Sequence, residues 1–163
     1  CYTAAATAQP NMTSAQLALG LAYLQRRTWA FAEQALSNAL RLDPSRPRIA
    51  LRGLVEAQRR QDDREGALKT LDELTERFPD ELDAFGLRAE LRLQAGDRAG
   101  ALADLGHALD RQPRHVSSLR RLAALLVGEG RAPEAKARLD KALESAPKDH
   151  DVWALRLQLA GAF

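Results

Sequence analysis

The chain has 163 residues, the length of one ordinary domain, and it is 45% hydrophobic but only 5% aromatic. Its 24 basic and 22 acidic residues leave a net charge of +2, which is too small to indicate a nucleic-acid partner. No apolar run approaches the roughly 18 residues that a membrane-spanning helix needs. The single cysteine, Cys1, excludes an internal disulfide and a cysteine-based metal site within this chain.

Residues 1–12 are small, polar and aperiodic, and we interpret them as a flexible leader. From residue 13 onwards, helical hydrophobic periodicity is interrupted by turn residues at regular intervals. At two of these turns Gly96 and Gly130 are suited to a positive φ. The pattern predicts helices at 13–26 and 30–42, 48–60 and 64–77, 82–95 and 98–111, 115–128 and 132–145, and a last one at about 149–161.

The chain contains an internal sequence repeat, which the regular spacing of its prolines indicates. Pro44, Pro79, Pro113 and Pro147 are spaced by 35, 34 and 34 residues. An alanine lies twelve residues before each proline, and a leucine lies eight residues before it. The alanine and leucine fall on one helix face, where a small residue allows two helices to approach closely. The proline comes just past the helix end, which it helps to terminate.

The first unit carries Leu19-Gly20, Tyr23, then Ala32, Leu36 and Ala39, and finally Pro44. This pattern resembles the tetratricopeptide repeat (TPR) family over about residues 13–163. The resemblance implies an all-α solenoid of four helical hairpins plus a C-terminal capping helix, and a protein that binds another protein. The repeats are expected at about 13–47, 48–81, 82–115 and 116–148, with the capping helix at 149–161 packing on the last hairpin.

In that family the first helix of each hairpin lines a concave groove. The side chains that point into this groove lie one residue away from the positions at which the helices of the repeat pack together. The resemblance therefore implies partner-binding candidates at Leu17, Leu21, Leu24, Ile49, Arg52, Glu56, Arg59, Asp83, Gly86, Glu90, Leu93, Arg120, Ala124 and Val127. The three leucines form a stripe that either is buried on both sides or receives a partner's amphipathic helix. Phe31, at a position more often polar, is a secondary contact candidate or a structural filler.

Cys1 at the start of the chain resembles the lipid-bearing cysteine of a mature bacterial lipoprotein, and the alternative is a chain that merely begins there. Tyr2 in place of aspartate is similar to lipoproteins sorted to the outer membrane. The resemblance implies a lipid anchor on Cys1 and a location on the periplasmic face of the bacterial outer membrane. An N-acylated diacylglyceryl cysteine carries three hydrocarbon chains, enough for permanent attachment.

A short lipid-anchored TPR protein is similar to the pilotins that accompany secretins in type IV and tight-adherence pilus systems. The expected partner is therefore a secretin segment held in the groove. The alternatives are a periplasmic adaptor that docks cell-wall enzymes or proteases, and an intracellular TPR interaction module. We do not expect an enzyme, a cofactor, a metal or a small-molecule substrate, because His107, His115 and His150 are scattered and no catalytic or phosphate-binding motif is present.

Overall fold

The computed structural model describes residues 13–44 and 47–162, and over those residues the chain is all-α. The predicted fold class is confirmed, and most helices begin and end within one residue of their predicted limits. The last helix is shorter than predicted, because it ends at Gln158 and a 3-10 turn follows. The helices are α1 (Thr13–Gln25), α2 (Trp29–Leu42), α3 (Arg48–Arg60), α4 (Arg64–Arg77), α5 (Leu82–Gln94), α6 (Arg98–Arg111), α7 (Val116–Gly128), α8 (Ala132–Ser145) and α9 (His150–Gln158), with the 3-10 turn at Ala160–Ala162.

The chain divides into two compact units. Unit 1 spans Cys1–Pro79 and holds the two hairpins α1–α2 and α3–α4. Unit 2 spans Asp80–Phe163 and holds the hairpins α5–α6 and α7–α8 together with α9. Among the described residues, no helix is both long enough and apolar enough to cross a membrane.

The core of unit 1 is organised around Leu36 of α2, which is fully buried and packs with Ala50 and Leu54 of α3. A Cβ added at Gly20 of α1 would lie 2.6 Å from Leu36 Cγ and 2.7 Å from its Cδ2. A Cβ added at Gly53 of α3 would lie 2.8 Å from Leu36 Cδ1. The two glycines therefore allow α1 and α3 each to pack closely against the same leucine.

A network of side-chain hydrogen bonds links three helices of unit 1. The Gln58 side chain is buried; its oxygen accepts a 2.8 Å hydrogen bond from Thr70 Oγ1, and its amide donates to Glu33 at 3.3 Å. Gln61 Nε2 donates to the second Glu33 oxygen at 2.7 Å. The buried amide is thus satisfied at both ends, as a stable interior requires. These hydrogen bonds tie α2, α3 and α4 to one another.

The core of unit 2 is a continuous apolar cluster contributed by all five of its helices. The α9 helix adds Val152 and Leu155 to this cluster, both nearly inaccessible to solvent. The expectation that the last helix covers the preceding hairpin is therefore confirmed. Trp153 on the same helix is 40% exposed, and its indole N–H donates to the Pro147 carbonyl at 2.8 Å.

An ion triad replaces part of the apolar packing between α5 and α6. Asp104 is buried and accepts from Arg88 through both of its carboxylate oxygens, with a Nε–Oδ2 distance of 3.0 Å. Arg92 Nη1 donates to Asp104 Oδ2 at 2.8 Å. Two guanidinium partners compensate the cost of burying the carboxylate. The triad fixes how the two helices of this hairpin pair.

The four hairpin turns share one backbone geometry. The second residue after each first helix has a positive φ, with values of 57° at Arg27, 58° at Asp62, 84° at Gly96 and 72° at Gly130. The prediction for the two glycines is confirmed. Arg27 departs from the usual choice of Gly, Asn or Asp in this conformation, at a cost of about 1–2 kcal/mol.

The turns differ in how the second helix begins. Asp63 and Asp97 cap α4 and α6, because their carboxylates accept hydrogen bonds from the amides of Gly66 and Gly100. Thr28, at the same place before α2, makes no side-chain hydrogen bond to the helix and instead donates to the Tyr23 carbonyl. A missing cap of this kind costs about 1 kcal/mol. The first hairpin therefore forgoes two stabilising features in one turn.

Candidate protein-binding surfaces

The leucine stripe of α1 is partly core and partly surface. Leu17 and Leu24 are partly buried and pack against the Leu36 cluster of unit 1. Leu24 also lies over Gly53, where a Cβ would meet its Cδ1 at 3.2 Å. Leu21 is 37% exposed. The sequence left open whether these leucines are buried or receive a partner's helix. Leu17 and Leu24 are largely buried, whereas Leu21 is accessible for contact.

The first helix of the second hairpin, α3, adds a second exposed apolar side chain to unit 1. Ile49 is 53% exposed, and Arg52 is exposed one turn further along. Glu56 accepts a 2.8 Å ion-paired hydrogen bond from Arg60 Nε. Arg59 is partly buried. Because α1 and α3 are in contact, unit 1 presents exposed aliphatic groups on two adjacent helices.

Three candidates on α5 of unit 2 lie close to a side chain of α7 or of the turn before it. Asp83 Oδ1 lies 3.4 Å from His115 Nε2, and Glu90 Oε2 lies 3.6 Å from Arg121 Nη2. Gly86 is buried, and a Cβ there would lie 3.3 Å from Arg121 Nη1. The expectation that Gly86 opens onto a groove is corrected, because the absent side chain leaves room that the guanidinium occupies.

The remaining candidates of unit 2 divide by burial. Arg120 and Ala124 of α7 are exposed. Leu93 and Val127 are partly buried and pack against the apolar cluster of the unit. Among the candidate positions, the exposed ones of unit 2 are therefore charged or small, whereas Leu21 and Ile49 of unit 1 are aliphatic. The binding roles of all these residues stay predictions.

Phe31, the secondary candidate, projects from the first turn of α2. Its side chain is 59% exposed, and its ring centroid lies 5.5 Å from that of Tyr23 with an angle of 32° between the planes. Trp29 is partly buried, with the Arg60 guanidinium 5.7 Å from its ring centroid. Phe31 is thus a surface residue supported by one aromatic neighbour, whereas Trp29 is partly buried.

The described residues hold no cluster of three or more potential metal ligands. His107 stacks on Phe85, with 4.4 Å between the ring centroids, and accepts a hydrogen bond from Arg111. Two carboxylates with a lowered pKa lie on exposed helix faces. A hydrogen bond from Lys69 lowers the pKa of Glu65, and one from Arg131 lowers the pKa of Glu134. Such pairs are typical of solvated helix surfaces.

The tetratricopeptide repeat family model matches residues 23–91 and 92–159. Among solved structures, MamA has 22% sequence identity to the chain and a TM-score of 0.79, covering 90% of this chain and 85% of that protein. YrrB, described as a TPR protein with an unusual peptide-binding site, has 17% identity and a TM-score of 0.73, covering 95% and 79%. PilF from Pseudomonas aeruginosa has 18% identity and a TM-score of 0.65, covering 91% and 69%. No curated protein matches significantly.

Proposed function

The chain belongs to the tetratricopeptide repeat family and is a protein-binding scaffold, and we propose that the protein it holds is a segment of an outer-membrane secretin. In this proposal the chain acts as a pilotin, an assembly factor for a pilus or secretion-system secretin. Cys1 carries the lipid that attaches it to the periplasmic face of the outer membrane. Cys1 lies outside the described residues, so the anchor rests on the sequence.

The observation that supports the binding surface most directly is the pair of exposed aliphatic side chains, Leu21 and Ile49, on adjacent helices of unit 1. Full burial of a leucine or isoleucine contributes about 1.5–3 kcal/mol. Leu21 is 37% exposed and Ile49 is 53% exposed, which together is nearly one whole side chain, so the pair supplies roughly 1.5–3 kcal/mol. An association cost of several kcal/mol exceeds this gain. The partner must therefore make further contacts, for which the exposed Arg52 is a charged candidate.

The chemistry of these helices favours an amphipathic helix as the bound segment. Aliphatic groups would receive its apolar face, and an acidic residue beside that face would lie near Arg52. Leu17 and Leu24 would form the inner edge of the contact, since both already pack on the core. A secretin segment with an apolar stripe bordered by a carboxylate fits this surface.

Calorimetry with a synthetic secretin C-terminal segment tests the proposal. The lipid-free Cys1→Ser protein is titrated beside the double variant Leu21→Glu/Ile49→Glu. Ala30→Glu, also at an exposed helical position, controls for added negative charge. We expect binding by the parent and the control, and at least tenfold weaker binding by the double variant. A folded parent that does not bind would refute the secretin assignment and direct attention to cell-wall enzymes. Equal binding by all three would move the site elsewhere.

The lipid anchor has a separate test. The gene is expressed with its own upstream region in a bacterium that processes lipoproteins, and the membrane-extracted protein is analysed by mass spectrometry. The proposal expects a diacylglyceryl group on the Cys1 thiol, and its absence after Cys1→Ser together with release from the membrane. An unmodified Cys1 in a protein recovered from the soluble fraction would contradict the proposed location.

A further inference from the structure

The turn between α1 and α2 differs in chemistry from the other three hairpin turns, although its backbone is the same. In each turn the amide of the positive-φ residue donates to a carbonyl three residues earlier, at 3.0 Å for Arg27, 3.2 Å for Asp62, and 3.0 Å for Gly96 and Gly130. Sequence differences between these turns can therefore be compared position by position. The first turn differs from the others at positions 26, 27 and 31, and it shares the lack of a side-chain cap with the fourth turn, where the N-cap residue is Arg131.

Two arginines take the place of neutral and acidic residues in this turn. Arg26 and Arg27 correspond to Gln61-Asp62, Ala95-Gly96 and Glu129-Gly130 in the later hairpins. Both arginines are exposed, and within the described part of the chain neither side chain forms an ion pair or a hydrogen bond. Two carboxylates of unit 1 have other partners: Asp62 pairs with Arg64, and Glu33 accepts hydrogen bonds from two glutamines. Among the described residues, the turn thus carries two positive charges without an ion-pair partner.

A large apolar side chain stands where two of the later turns have glycine. Phe31 corresponds to Gly66 and Gly100, and in both of those turns a Cβ would lie within 2.2 Å of the capping aspartate. Phe31 can stand there because Thr28 does not cap α2 through its side chain. Dropping the cap and placing arginine at a positive φ are both unfavourable for folding. Features that break local rules in this way are expected where a surface is used.

We propose that this turn, residues 26–31, docks on the surface of an anionic phospholipid bilayer. Arg26 and Arg27 would contact the phosphate groups, and Phe31 would insert at the interface with Tyr23 and Trp29 beside it. Aromatic residues combined with unpaired basic ones are the chemistry of membrane interfaces. A specific protein interface needs about 20–30 residues on each side, whereas this turn offers six. The inference rests on the turn itself and does not depend on the secretin or on a lipid at Cys1.

Vesicle flotation with the full chain, made without lipid on Cys1, tests the proposal. The vesicles contain equal parts of phosphatidylglycerol and phosphatidylcholine, with pure phosphatidylcholine as the neutral comparison. We expect binding to the anionic vesicles at low salt that weakens as salt rises. Arg26→Ala/Arg27→Ala should weaken this binding about 25-fold, from about fivefold for each arginine near the surface. Phe31→Ala should weaken it about fivefold, because the ring no longer inserts.

Matched variants test whether vesicle binding depends on this turn or only on the total charge and hydrophobicity of the protein. Arg98→Ala/Arg138→Ala removes the same charge from exposed positions in unit 2, and Leu157→Ala removes an exposed apolar side chain there. These variants should bind anionic vesicles like the parent, and circular dichroism should show that all variants are folded. Excess soluble glycerophosphoglycerol should not compete, because a bilayer is required.

The emission of Trp29, measured in a Trp153→Phe background, should shift to the blue on vesicle binding. Equal losses in both arginine pairs, or a parent that binds neither vesicle type, would overturn the proposal. If the parent ignores vesicles and the turn variants lose a protein partner instead, the turn is a protein contact and the membrane assignment is wrong.

Discussion

The close approach of α1 to α2 makes Gly20→Ala a demanding test of the packing in unit 1. The added Cβ would lie 2.6 and 2.7 Å from two Leu36 carbons, both distances shorter than van der Waals contact allows. Leu36 is fully buried, and the Gly53 backbone is also close to it, since a Cβ at Gly53 would lie 2.8 Å from Leu36 Cδ1, so the side chain has little room to shift. Overpacking of this kind costs about 1–3 kcal/mol. Alanine recovers about 1 kcal/mol through its better helix propensity.

We therefore expect Gly20→Ala to lower the free energy of unfolding by up to about 2 kcal/mol. Gly106→Ala is the matched control, since Gly106 lies inside α6 with no atom within 4 Å of an added Cβ. The control should raise the free energy of unfolding by about 1 kcal/mol from propensity alone. Urea denaturation followed by circular dichroism measures both, and the emission of Trp29 in a Trp153→Phe background reports on unit 1 in the Gly20→Ala protein.

A double-mutant cycle identifies the contact responsible. Leu36→Ala alone should cost about 2–5 kcal/mol, because it leaves a cavity in the core. In the Gly20→Ala background the same change should cost less, because the new methyl group occupies part of that space. If Gly20→Ala stabilises the protein as much as Gly106→Ala does, the helices do not approach as described and the reasoning fails.

Three further changes test the turns and the electrostatics. Arg27→Gly should raise the free energy of unfolding by about 1 kcal/mol in thermal melts, because glycine adopts the positive φ without strain. Asp97→Ala should lower the free energy of unfolding by about 1 kcal/mol, because the α6 cap is lost. Asp97→Asn should retain most of the stability that the cap contributes. Hydrogen bonds from Lys136 and then Arg156 lower the pKa of Asp140, so its contribution to stability is present above its unfolded pKa and is lost as the pH falls below about 4. Asp140→Asn should accordingly flatten the acid limb of a stability–pH profile, and an unchanged limb would contradict that role.

Much of the fold could be predicted because the repeat places the same residue types at the same structural positions. Pro44 and its equivalents mark the helix ends, and the alanines twelve residues earlier mark the close contacts. Ala32, Ala67, Ala101 and Ala135 are all fully buried. The positive φ of Gly96 and Gly130 followed from residue type alone.

The candidate surface could be predicted only in part, because exposure depends on neighbours that are distant in sequence. The α1 pattern does not reveal that Gly53 receives Leu24 or that Leu21 remains accessible. Gly86 fits the spacing of a groove position, yet Arg121 covers it from another hairpin. The positive φ of Arg27 was equally hidden, since only comparison with the later turns identifies the position.

The central claim, that unit 1 holds a partner segment on α1 and α3, is tested most directly by site-specific photo-crosslinking. A photoreactive phenylalanine analogue is placed at position 49, and at Glu76 of α4 as an exposed control position in the same unit. Each protein is irradiated with the secretin segment. We predict a crosslink from position 49 that excess unlabelled segment suppresses, and none from position 76. Equal crosslinking from both positions, or from neither under conditions in which the segment binds, would contradict the proposed surface.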